Sequence, residues 1–326
     1  MIIIRFTSGL GNQMYQYSFY KLLKEKYKET KVLADLTWFY ANNDHHGYEL
    51  QRIFGQNHDL KIEEASKSQI YKVTGQIPPL VRGKLAKKVV FLEGPINRIL
   101  REKFHSTDKV NRIDQLDGEL SNKWTVDENG QEKNEVYDLV MKLDTSKDWY
   151  ITGFWIEERF YGQRIDKTRS ELTFPDFPDE NNRKMLEQIK ASDSVSIHVR
   201  RGDYLTATYA SMFKSLGRAY YEAAVNEMRS RFSHPQFFIF SDDPAYIKEA
   251  FEWLDEKTIV DINSGDDSYK DMQLMSNCKG NIVANSTFSQ WGALLNQNES
   301  SVTVYPSAYL VDEDTEVKQL NGWIRI

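Results

Sequence analysis

The second half of the chain alternates short strand-like runs with helical stretches, and that alternation restricts the fold more than any other feature. SVSIHV (194–199), QFFIF (236–240), residues 259–262, NIVA (281–284) and SVTVY (301–305) read as strands. Between them, 218–231, 244–253, 268–277 and 287–295 carry helical patterns, with Pro244 suited to a helix first turn. Strands separated by helices of about 10–15 residues make parallel βαβ units, because parallel neighbours need a long crossover. Residues 185–326 are therefore expected to form one Rossmann-like α/β domain.

The first half opens in the same way. MIIIRF (1–6) reads as a buried strand, and a turn-rich segment (7–13) leads into a helix with Tyr15, Phe19 and Leu22 on one face. Lys21, Lys24 and Glu25 supply its wet side. KVLADL (31–36) and WYITGFW (149–155) are further strands, so this half starts a second doubly wound unit. Pro175 and Pro178 in TFPDFPDENN mark a linker, which sets the first domain at 1–175. Inside it, about 56–148 reads as an irregular or helical insertion. Residues 67–112 hold 11 Lys+Arg against three acids, and 113–148 hold 10 acids against four Lys. Solvated faces of opposite sign account for this block. The alternative is peripheral membrane association, with Lys84, Lys87, Lys88, Arg98 and Arg101 meeting an anionic surface or a lipid-linked phosphate.

Composition excludes several classes. A net charge of -6 argues against nucleic acid as the main partner, since phosphate neutralisation wants a basic surface. The single cysteine, Cys278, rules out an internal disulfide framework and a cysteine-based zinc site. No apolar stretch approaches the roughly 20 residues of a membrane span. The apolar part of MIIIRFTSG is also short for a signal peptide. A soluble protein of a reducing compartment is the expectation. Aromatics make up 13% of the chain, and most are assigned to the core.

In open α/β sheets the ligand lies at the carboxyl ends of the strands, and four of those ends are polar here. After the first strand, Gly9 and Gly11 allow close backbone approach to an anion, and Asn12 and Gln13 add amide donors; an ordinary tight turn is the alternative. After 194–199 comes HVRRGDY (198–204). His198 and Arg200 point to one side of the strand and Val199 and Arg201 to the other. Two guanidiniums at the end of a buried strand need an anion, supplied either by Asp203 or by a bound diphosphate. After 236–240 comes SDDP, where one carboxylate caps the next helix and the other is free to accept from the N1–H and 2-amino group of guanine. Last, NSTFSQW (285–291) places hydroxyls where they cap a helix or meet a phosphate.

Taken together, GLGNQM (9–14), GFW (153–155), HVRRGDY (198–204), SDD (241–243) and ANSTFSQW (284–291) resemble glycosyltransferase family 11, the α-1,2-fucosyltransferases, in the family's order and over nearly the whole chain. HVRRGDY is also similar to a motif of α-1,6- and protein O-fucosyltransferases. The resemblance implies a GT-B-like fold of two Rossmann-like domains facing a cleft. GDP-β-L-fucose is then the donor co-substrate, with no other cofactor and no metal. The implied reaction is inverting transfer to the 2-hydroxyl of a terminal galactose, by a bacterial cytoplasmic enzyme that builds surface polysaccharide. By the same resemblance, Arg200 holds the diphosphate with Arg201 beside it, and His198 with Asp242 or Asp243 meets guanine and ribose. Ser286, Thr287 and Ser289 meet the phosphates. Gly11, Asn12 and Gln13 approach fucose or the diphosphate.

Inversion in one displacement needs a base for the acceptor hydroxyl and charge stabilisation for the leaving nucleotide. Some related fucosyltransferases carry a glutamate shortly after the arginine motif, whereas 205–216 contains no acid here. Asp203 is the first candidate base, followed by Asp35 and Glu157. The Asp-Glu-Asp at 312–314 reads as surface charge, and a fixed arginine replaces a cation.

Overall fold

The computed structural model describes residues 1–42, 46–56, 60–81, 111–116, 120, 125–202, 211, 216–307 and 322–326. Two compact units divide the chain, Met1–Glu171 and Leu172–Ile326. Each is an α/β unit built on its own parallel sheet.

In the first unit, β1 (Ile2–Arg5) and β2 (Val32–Asp35) flank the long helix α1 (Leu10–Lys26) in sequence. Three consecutive isoleucines make β1 a strand buried on both faces, as a parallel sheet requires. Short helices α2 (Trp38–Ala41) and α3 (Leu50–Phe54) precede α4 (Lys67–Thr74). A capping box between Ser66 and Gln69 starts α4, and Gly75 ends it in the left-handed region at φ 65°. Next come β3 (Asn111–Asp114), the strands β4 (Thr125–Val126) and β5 (Glu132–Lys133), and α5 (Glu135–Met141). The unit closes with β6 (Trp149–Thr152), α6 (Glu158–Tyr161) and α7 (Ile165–Glu171). The sheet order is β2-β1-β6-β3, all pairings parallel, while β4 and β5 form a separate antiparallel pair.

The stretch 56–148, expected to be irregular or helical, is mixed among its described residues. It contributes α4 and α5, but also an edge strand of the main sheet. The basic residues Lys84, Lys87, Lys88, Arg98 and Arg101 lie outside the described residues. Much of the aromatic excess is core. Phe19 stacks on Trp155 with centroids 3.9 Å apart, and Phe160 meets both edge-on.

The second unit opens with α8 (Glu180–Lys190), immediately after the expected linker. Asp179 caps it by accepting from the Asn182 amide. The order is then β7 (Asp193–Val199), α9 (Arg218–Arg231), β8 (Pro235–Ser241), α10 (Pro244–Ala250), β9 (Lys257–Val260) and α11 (Tyr269–Met275). It ends with β10 (Gly280–Ile282), α12 (Thr287–Leu294), β11 (Val302–Tyr305) and β12 (Ile324–Arg325). Every pairing of the six-stranded sheet β12-β11-β10-β7-β8-β9 is parallel. One face of the sheet buries Val195, Ile197, Val199, Phe237 and Ile239 against Tyr221, Val225, Met228 and Ile247 of α9 and α10. Each such side chain contributes roughly 1.5–3 kcal/mol on burial. From β7 the chain builds outward through β8 and β9, then returns to the other side of β7 with β10. The β7–β10 junction is therefore the topological switch point, the position at which open α/β sheets take their ligands. No helix among the described residues is long and apolar enough to cross a membrane.

Candidate active site

Parallel pairing brings the loops after β7, β8, β9 and β10 to one edge of the second unit. His198 pairs with Phe240 and Val199 with Ser241, so Arg200 and Arg201 emerge beside Asp242 and Asp243. Arg200 Nη1 lies 2.7 Å from Asp242 Oδ2. The same carboxylate accepts the Arg201 backbone N–H at 2.9 Å through Oδ1. Arg201 Nε donates to Asp243 Oδ2 at 3.1 Å, and its guanidinium carbon stands 3.7 Å from the centre of the Tyr246 ring. Asp243 also caps α10, accepting from the Tyr246 N–H at 3.1 Å. Gly202 leaves room for this closure: a Cβ there would sit 2.8 Å from Asp242 Oδ2 and push that carboxylate aside.

The arrangement bears on two expectations. Among the described residues the arginines pair with Asp242 and Asp243; Asp203, the residue first weighed for that task and for the base, lies outside the described residues. Asp243 takes the capping role, as one of the two was expected to, but Asp242 is engaged by both arginines and is not free. What the edge offers is a pair of fixed guanidiniums, each oriented by its own carboxylate. That is the arrangement for binding a dianion and for stabilising charge on a leaving phosphate.

Alternation along β7 sends His198 to the opposite face from Val199, toward Phe288, whose ring centre is 5.6 Å away. Only 5% of His198 is exposed, and burial depresses its pKa to about 4, outweighing the attraction of Asp242; Arg200 pushes the same way as burial. The imidazole is therefore neutral near pH 7 and adds no charge. Its Nδ1 has no hydrogen-bond partner among the described residues, and Tyr221 donates to its backbone carbonyl.

Across the switch point, the 284–291 loop divides its hydroxyls. Ser289 is buried and ties the loop to itself, accepting from the Ala284 N–H at 3.1 Å and donating to the Ser286 carbonyl at 3.1 Å. It therefore shapes the loop, in contrast to the phosphate contact expected of it. Ser286 is the N-cap residue of α12 but makes no side-chain cap, and Thr287 is half-buried. These two hydroxyls stay in play at the positive end of the helix.

Beyond β9, Asn263 donates to Asp271 at 2.8 Å and exchanges two hydrogen bonds with Asn182. Desolvation raises the Asp271 carboxyl from 3.8 to about 7, against the pull of the Asn263 hydrogen bond and with help from Asp261. The motifs do not mark this residue. Its one sequence signal is a lone acid before the apolar Met272, Leu274 and Met275 of α11.

In the first unit, the carboxyl ends of β1 and β6 are held by amides. Gln13 is fully buried; Nε2 donates to the Ser8 and Gly47 carbonyls, and Oε1 accepts the Glu49 N–H. It therefore organises the loop and is spent as a ligand donor, contrary to expectation. Gly11 is buried in the first turn of α1, and Asn12 is half-buried beside it. Gln16 links Thr7 to the Gly153 carbonyl, and Gln115 accepts the N–H groups of Phe154 and Trp155. Trp155 sits at φ 61°, a strained setting for a bulky residue, enclosed by its aromatic neighbours. Neither reserve base is available as a free carboxylate. Asp35 is buried and accepts from Thr37 and from Tyr150 Oη at 2.6 Å, while Glu157 pairs with Arg159 at 2.8 Å. Residues 312–314 lie outside the described residues. Among the described residues no three His, Cys, Asp or Glu side chains gather into a metal-binding group.

The family model "Glycosyl transferase family 11" matches residues 88–326. An alpha-1,2-colitosyltransferase of Escherichia coli is 26% identical, covering 100% of this chain and 99% of its own. The O-antigen biosynthesis glycosyltransferase WbnK, also of Escherichia coli, is 26% identical over 98% of each chain. Among solved structures, the fucosyltransferase NodZ from Bradyrhizobium is similar over 90% of this chain and 93% of its own, with a TM-score of 0.45 and 12% identity.

Proposed function

From the premise that this chain belongs to glycosyl transferase family 11, we propose that it transfers L-fucose from GDP-β-L-fucose to the 2-hydroxyl of a terminal galactose, with inversion. The observation that carries this reading is the arginine pair at the end of β7, each member oriented by an aspartate from the loop after β8. In the displacement, the acceptor oxygen bonds to the anomeric carbon as the bond from that carbon to the β-phosphate oxygen breaks. The electron pair leaves with GDP, where Arg200 and Arg201 meet the growing charge. Asp203 takes the hydroxyl proton in this reading. His198 serves as a neutral hydrogen-bonding group, because burial keeps it unprotonated. Ser286 and Thr287 meet phosphate oxygens at the start of α12. Residues 185–326 form the donor domain and 1–175 the acceptor side. The likeness to an O-antigen biosynthesis glycosyltransferase supports a place in bacterial surface-glycan synthesis.

Incubation with GDP-fucose and lactose, followed by linkage analysis of the product, tests the proposal. Arg200→Ala is expected to abolish transfer while leaving the circular dichroism spectrum unchanged. Near-normal turnover by that variant would remove the arginine from the mechanism. A second reading, transfer of a different GDP-linked deoxysugar, is favoured by the full-length likeness to a colitosyltransferase. Thermal shifts measured with GDP-fucose, GDP-colitose and GDP-mannose in parallel separate the two, because the preferred donor stabilises most by mass action.

A further inference from the structure

The geometry points to Tyr246 as the positioning residue for the second arginine, an assignment that rests on the donor reading above. Arg201 is held at three points. Its backbone N–H is fixed by Asp242, its Nε by Asp243, and its flat face by the Tyr246 ring at 3.7 Å. Among the described residues its two terminal nitrogens have no hydrogen-bond partner. A guanidinium gripped by Nε and by one face presents those terminal nitrogens as a fork, which matches the two oxygens of a phosphate. Arg200 is oriented differently, end-on to Asp242 through Nη1.

Tyr246 can do this because α10 begins directly after the Asp-Asp pair. Asp243 caps the helix at the Tyr246 N–H and grips Arg201 with its other oxygen, so cap, ion pair and ring form one rigid corner. The ring is 37% exposed and Arg201 is 31% exposed, so an arginine without the ring would sample other rotamers. The ring acts by holding the fork still before the diphosphate arrives. Its hydroxyl has no part in this. The cap uses only the backbone of residue 246, so truncating the side chain leaves α10 intact.

The test is GDP titrated calorimetrically into the full chain as wild type, Tyr246→Phe, Tyr246→Ala, Arg201→Met and the Arg201→Met/Tyr246→Ala pair. Tyr246→Phe is expected to bind as wild type does, because the ring face is retained. Tyr246→Ala should weaken GDP about three- to fivefold, the scale of one exposed cation–π contact. The donor KM should rise by a similar factor, and kcat should fall as well, because Arg201 also meets the charge growing on the leaving GDP. In the Arg201→Met background, the alanine should have no further effect. Unchanged binding by Tyr246→Ala would overturn the assignment, as would the same loss in the Arg201→Met background, since Tyr246 would then be acting through the fold. If Arg201→Met binds too weakly to titrate, the contrast between Phe and Ala decides. Saturable GDP binding that Tyr246→Ala leaves untouched refutes this assignment alone. A wild type that does not bind GDP refutes the donor reading, and the assignment falls with it.

Discussion

The substitution Asp271→Asn should turn a nearly flat pH dependence of stability in the second unit into a rising one. Two of its groups titrate in opposite senses. Burial holds Asp271 at about 7 in place of 3.8, and burial holds His198 at about 4 in place of 6.5. Between pH 3.8 and about 7, folded Asp271 keeps a proton that the unfolded chain releases, so its contribution falls as pH rises. Between pH 6.5 and about 4, folded His198 lacks a proton that the unfolded chain binds, so its contribution falls as pH drops. Each slope is about 1.4 kcal/mol per pH unit, and in the shared window they offset one another. The amide introduced by the substitution cannot titrate, yet its carbonyl still accepts from Asn263. The variant should therefore gain stability steadily with pH through the window. Above neutrality it should exceed the wild type by up to about 4 kcal/mol, from a shift of about three pH units. Urea unfolding at fixed pH values from about 4.5 to 8 measures this difference directly. Parallel curves for the two proteins over that range would refute the reasoning.

Other expectations are local. Asp243→Ala removes the cap of α10 and the Arg201 partner together, at a cost of about 1 kcal/mol from the cap, read as a lowered midpoint in thermal unfolding. Gly153→Ala would place a Cβ 2.5 Å from Gln115 Oε1 and 2.7 Å from its Cβ, costing about 1–3 kcal/mol by overcrowding. The same urea assay reads that loss. Cys278 is buried, and burial pushes its thiol well above the ordinary range, so it should react with a thiol reagent only after unfolding.

The second sheet was legible because its strands are dense in β-branched and aromatic residues and its helices keep a clear period. Among the elements that escaped that reading, two did so for clear physical reasons. The α8 sequence ENNRKMLEQIK carries little apolar content and follows two prolines, so its helix is announced mainly by the Asp179 cap. The β3 sequence NRID offers one buried residue, Ile113, and becomes a strand because β6 presents an open edge. At the site, polar strand ends were visible, whereas the direction of each side chain was not. Gln13 and Ser289 turn inward because loop backbone groups need them, a demand set by the closed loop and absent from local sequence. The perturbed Asp271 depends on Asn263 and on the packing of α11, and no local pattern announces that burial.

The all-parallel second sheet has a kinetic consequence. With every ladder parallel, each strand pair closes a long connection before any contact rewards it. The Arg201–Asp243 contact spans 42 residues and the Asn281–Ser196 contact spans 85. No local nucleus can assemble the arginine corner early, and a fragment carrying both motifs but lacking β10 would leave β7 without its inner neighbour. Acquisition of nucleotide affinity during refolding should therefore be a late event, coincident with the slowest phase of the unit.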